Sequence, residues 1–104
     1  FEELGTDISM INFNINTGEV VLYYQGYAQS VIIEEEKKEI NPKFRITIWD
    51  AKNNSIEKLI GLGESLVGNW IISEFSPQRE TITLKYNDKI FIVKRGHYYK
   101  LKIA

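Results

Sequence analysis

Apolar and polar residues alternate most regularly between Glu80 and Tyr86, where Ile82, Leu84 and Tyr86 share one side and Thr81, Thr83 and Lys85 the other. A period of two is the signature of a strand with one buried face. Asn87-Asp88 follows as a two-residue hairpin loop, because Asn and Asp tolerate positive φ better than other side chains. That loop sets Leu84 opposite Phe91 and Ile82 opposite Val93, all inward. A three-residue loop would set Lys94 opposite Ile82 and push its ammonium into the core, so the shorter register is predicted. Upstream, Ser76-Pro77-Gln78-Arg79 suits a type I turn after a strand from Asn69 to Phe75. The pattern predicts a three-stranded meander.

The other segments read as strands brought up to complete this core. Ile11, Phe13 and Ile15 alternate with Asn12, Asn14 and Asn16. A turn at Thr17-Gly18 would pair Ile15 with Val20, Phe13 with Leu22 and Ile11 with Tyr24. In that register the asparagines, Val21 and Tyr23 fall on the outer face. Gly26 is expected to break the second strand. Ala28 to Glu35 and Lys43 to Trp49 then form a hairpin around a charged tip, Glu34 to Glu39, with Phe44, Ile46 and Ile48 on one face. The tip reads as solvated: its glutamates do not converge, and no Gly-containing calcium loop surrounds them.

Asp50 to Ser55 is a loop and Ile56 to Ile60 a short strand. Gly61-Leu62-Gly63-Glu64 reads as a tight turn. A phosphate cradle there lacks the third glycine of a dinucleotide fingerprint, and Glu64 would repel the phosphate. Phe1 to Asp7 is a lead-in. At the other end, residues 97–104 carry an extra strand in which Tyr99, Leu101 and Ile103 alternate with Tyr98, Lys100 and Lys102. Its lysines mark it as an edge. Nowhere is a 3.6-residue period sustained. The expectation is one all-β domain over residues 1–104, a small antiparallel β-sandwich or partly open barrel of about seven to nine strands. Its predicted core is Phe13, Leu22, Phe44, Ile46, Ile82, Leu84, Phe91 and Val93.

Composition narrows the function more by exclusion than by assignment. With 104 residues, 43% hydrophobic and 26% charged, the chain suits one folded domain, burying roughly two-thirds of its unfolded surface. It has no cysteine and one histidine, His97. Disulfide and thiol chemistry are therefore excluded, and a zinc site would need an uncommon, carboxylate-rich ligand set. His97, beside Gly96, reads as a partly exposed turn residue. No nucleophile elbow or marked carboxylate pair is present. A non-enzymatic protein is expected, with no catalytic residue, metal or cofactor. No apolar run approaches the ~20 residues of a membrane helix. The chain opens on Phe1 rather than Met, which leaves room for a signal peptide or anchor upstream.

Charge is unevenly spread. Residues 1–75 hold 6 Lys and Arg against 12 Asp and Glu, whereas residues 76–104 hold 7 against 2. In that basic third, Lys85, Lys89, Lys94, Arg95, Lys100 and Lys102 interleave with Tyr86, Phe91, Tyr98 and Tyr99. Small β-barrels that bind single-stranded nucleic acid use such a mixture, and this is the alternative function. The net charge of −1 and the inward register of Phe91 speak against it.

Residues 20–96 carry a family resemblance. Leu22-Tyr23-Tyr24-Gln25-Gly26-Tyr27-Ala28-Gln29-Ser30 is similar to the opening of the periplasmic homology-region domain of type II secretion system protein C, and of its relative, type IV pilus assembly protein P. Phe44-Arg45-Ile46-Thr47-Ile48 stands where that family has its second apolar strand. Ile60-Gly61-Leu62-Gly63-Glu64-Ser65-Leu66 resembles its Gly-Asp turn, with Glu64 in place of the usual Asp. Trp70-Ile71-Ile72 with Phe75, then Ile82-Thr83-Leu84 and Asn87-Asp88-Lys89, resemble its later strand and hairpin. The strand from Ile11, the long loop Glu34 to Pro42 and the tail from Tyr98 depart from the pattern.

The resemblance implies two three-stranded antiparallel sheets. It also implies a periplasmic connector, anchored upstream in the inner membrane and joining the inner-membrane platform to the outer-membrane secretin. The partner would be the secretin's periplasmic N-terminal domain or a platform component, not nucleic acid. The expected contact strand is Val20 to Gln25, with Val21, Tyr23 and Gln25 as partner-binding residues facing outward.

Overall fold

A computed structural model describes residues 1–11, 13–34 and 37–103, with side chains described outside 29–41. Among the described residues there are nine strands: β1 (Glu2–Gly5), β2 (Glu19–Glu34), β3 (Lys37–Trp49), β4 (Ser55–Gly61), β5 (Ser65–Val67), β6 (Trp70–Ser76), β7 (Thr81–Tyr86), β8 (Lys89–Lys94) and β9 (Tyr98–Lys102). They form two antiparallel sheets, ordered β1-β9-β2-β3-β4 and β5-β6-β7-β8. The architecture is a sandwich rather than a closed barrel. The charged tip expected between Glu34 and Glu39 falls outside the described side chains.

The meander of the second sheet follows the alternation. Ile82 pairs with Val93 and Leu84 with Phe91 across the predicted two-residue loop, and Asn87 takes φ 53° to turn it. Inward residues of both sheets then interdigitate. Leu22, Phe44, Ile46, Ile82, Leu84 and Val93 are fully buried, joined by Tyr24, Leu66 and Ile72. Phe91 is only partly buried and packs at the margin of this core. Its ring stacks on Phe1 at 4.3 Å.

The N-terminal third differs from expectation. Ile11 and residues 13–16 form no strand, and Ile8–Met10 is a short 3-10 turn capped by Asp7. The place beside β2 belongs to β9, which sets Leu101 against Val20 and Tyr99 against Leu22. β9 is thus an interior strand, not an edge: Tyr98, Tyr99 and Leu101 are all buried. β1, read as a lead-in, pairs on its far side.

The reason lies in Val20 to Tyr24, five consecutive apolar residues that load both faces of β2. A strand apolar on both faces needs cover on both. The segment before β2 supplies the second cover, packing Ile11, Phe13 and Ile15 over Val21, Tyr23, Trp49 and Tyr98. Phe13 accordingly belongs to this second cluster and is partly buried, instead of lying in the main core.

Candidate functional site

Of the three expected contact residues, two are not available to a partner. Val21 is fully buried under the N-terminal segment. Tyr23 is half-buried with its ring stacked 4.4 Å from Tyr98. Both do leave the sheet on the outer side, but that side is covered. Gln25 is half-buried, its Nε2 donating to Thr47 Oγ1 at 2.7 Å, and it stands at the margin of a cleft.

Gly26 does not break β2; it bends it. Tyr24 pairs with Ile46 and Gly26 with Arg45, so Gln25 is the extra residue of a β-bulge. Gly26 has φ +149°, a conformation that side chains rarely adopt, and a Cβ there would lie 3.5 Å from Arg95 Nε. The bulge resets the alternation, so that Tyr24 and Tyr27 both turn their rings toward Phe44. The strand beside β2 departs at the same place. Gly96 donates its N–H to the Tyr24 carbonyl at 3.0 Å. Arg95 Nε donates to the Gln25 carbonyl at 2.9 Å. Both carbonyls of the bent segment are thereby satisfied, as buried backbone requires.

These features enclose a cleft of about 300 Å³. Residues 25–28 of β2 form its floor, Arg45 and Leu59 one wall and Arg95 the other. Arg45 lies across from Gly26 in the β2–β3 register, and Arg95 approaches from the turn between the sheets. Arg45 Nε contacts Glu57 at 3.1 Å, and Arg95 Nη1 contacts Glu80 at 3.3 Å. Both ion pairs are solvent-exposed, so each contributes no more than about 1 kcal/mol. They orient the guanidiniums without neutralising the wall against a tighter ligand. A guanidinium carries five N–H donors in a fork that fits a carboxylate or phosphate. Leu59 and Tyr27, exposed at the rim, add apolar surface. The set offers N–H donors suited to an anionic group beside apolar surface.

The remaining candidates resolve differently. Glu64 turns its carboxylate onto the Gly61 N–H and toward Lys43. The Gly61 hydrogen bond, and then Lys43, hold its carboxyl below the usual range. The amide a phosphate would need is already taken. His97 sits in the turn before β9, its Nδ1 on Glu3 Oε1 of β1. Tyr98 and Tyr99 are buried, and Tyr86 and Phe91 pack against the core. Those four rings are therefore not a platform on which bases could stack.

Tyr24, beneath the cleft, offers a pH test. Its phenol is pushed up from 10.0 to about 12, first by burial and then by Tyr27, with Arg95 opposing. In the unfolded chain this phenol ionises near pH 10, while the folded protein keeps it neutral to about 12. Its contribution is therefore intact below pH 10 and is lost as pH rises through that window. Urea unfolding measured from pH 9 to 12 should show stability falling, and Tyr24→Phe should shallow the fall. An identical slope in the variant would assign the alkaline loss to other groups.

Arg45, Tyr27 and Leu59 were not singled out as site residues by sequence, and Arg95 stood out only as one of the basic residues of the nucleic-acid alternative. The available signal was Gly26 inside an otherwise strand-forming run, which marks a bulge or a close backbone approach. Compared with family models, with curated proteins and with solved structures, the chain matches none.

Proposed function

We propose that this chain is a non-enzymatic interaction domain, a periplasmic connector that joins the inner-membrane platform of a secretion or pilus machine to its secretin. The observation that carries the reading is the arginine-walled cleft, set where β2 loses its neighbour and leaves a strand edge open. Such a surface suits a polypeptide, because main-chain pairing holds the ligand and the cleft selects it. The particular machine comes from the resemblance over residues 20–96. Within that span the first sheet contributes β2, β3 and β4, and the second contributes β6, β7 and β8 with the three-residue β5. β1, β9 and the covering segment lie outside it.

Calorimetry against the secretin's periplasmic N-terminal domain and against the platform components tests the reading. Binding to one of them is expected at roughly micromolar Kd, about −8 kcal/mol. The double variant Arg45→Glu, Arg95→Glu should weaken it at least tenfold. Circular dichroism melting should show the variant still folded. No heat with any of these partners would sink the connector reading.

A further inference from the structure

β9 accompanies β2 only from Glu19 to Tyr23. Beyond the bulge the chain turns away through Gly96 and Arg95 into the other sheet. From Gly26 to Glu34, nine residues of β2 are paired, among the described residues, with β3 alone. At ~3.3 Å per residue, this leaves a lane about 30 Å long that continues the line of β9. Unpaired backbone groups along such an edge are a template for another strand. The cleft closes the lane at one end, with Arg45 and Arg95 on either side of Gly26.

From this geometry we infer that the lane receives the C-terminal segment of a partner polypeptide as an added antiparallel strand, its terminal carboxylate held in the cleft by Arg45 and Arg95. Direction follows from charge. A strand antiparallel to β2 runs from the Glu34 end toward Gly26, so its last residue arrives between the two guanidiniums. A parallel strand would bring an N-terminal ammonium to the same place and be repelled. Antiparallel pairing is also the pattern of β9 on the same side of β2. Tyr27 and Leu59, 41% and 56% exposed, offer apolar contact to the final side chains of the incoming strand. The inference rests on the interaction-domain reading and specifies its ligand.

The test uses the whole domain and a bead-bound library of random octapeptides with free C-terminal carboxylates, beside the same library amidated. Selected free-acid peptides should bind, and amidation of the same peptides should weaken binding at least tenfold. Arg45→Gln combined with Arg95→Gln should produce a similar loss. Binding should slow amide hydrogen exchange along β2 from Gly26 onward and leave β7 unchanged. The inference is overturned if no free-acid peptide is retained, or if amidated peptides bind equally well. Concentration-dependent dimerisation that protects the same edge would also overturn it, by making a second copy the occupant. Should the secretin domain bind while amidation changes nothing, the connector reading stands and this one falls. Should free-acid peptides bind while the secretin domain does not, the reverse holds.

Discussion

Leu84→Ala is expected to destabilise the domain by about 2–5 kcal/mol, because the truncation leaves a cavity between two sheets that cannot fully close. Leu84 is fully buried, pairs with Phe91 on β8 and with Ile72 on β6, and lies at the centre of the main core. Against a typical total of about 5–15 kcal/mol, such a loss is a large fraction. Its neighbour Thr83 points to the other face of the same strand. Thr83→Ala should stay within about 0.5 kcal/mol, since no second layer covers that face of β7 among the described residues. Urea denaturation of the two variants gives the contrast directly. Equal losses would mean that the strand faces have been assigned the wrong way round.

Val21→Asp is expected to be about as damaging, and for a different reason. Val21 is fully buried between β2 and the N-terminal segment, among Ile15, Tyr98 and Phe13. Lys100, opposite Val21 on β9, already places its Nζ on the Asn14 carbonyl at 2.7 Å, so a carboxylate at this position either draws that ammonium off the covering segment or stays uncompensated. An uncompensated buried charge costs about 3–5 kcal/mol, or is relieved by letting the cover lift away. The variant should therefore melt lower, by roughly 10 °C or more. It should also be cleaved by protease between residues 6 and 18 at a concentration that leaves the parent intact. A variant with unchanged melting and protease resistance would return Val21 to the surface.

The two variants also mark what local pattern can and cannot tell. The Leu84–Phe91 register was legible because its strands are adjacent, and the competing register would bury Lys94. The place of Val21 was not legible from alternation. Val20 to Tyr24 is apolar at every position, so it announces a strand covered on both faces without naming either cover. Choosing between residues 11–16 and 98–102 as the neighbour of β2 meant weighing a nearby hairpin against a pairing some eighty residues away. Both segments alternate equally well. The deciding difference is that Tyr98 to Leu101 can fill both faces, whereas residues 12, 14 and 16 are asparagine. The cleft was less legible still. Gly26 signalled an irregularity, but its neighbour Arg95 comes from the turn between β8 and β9, and no local window contains both.

The insertion of β9 between β1 and β2 has a consequence for how the protein is made. In that sheet the lane beside the first strand is filled by residues 98–102, near the end of the sequence given. During synthesis β1 emerges first and has no sheet partner for almost the whole length of the domain. The meander β6–β8 can close as soon as it appears, since its contacts are local; the five-stranded sheet cannot. Late long-range closure of this kind slows folding and exposes apolar edges while the chain waits. The edge of β2 from Glu19 to Tyr23, unpaired until β9 arrives, is where a chaperone would find this chain while it is being made.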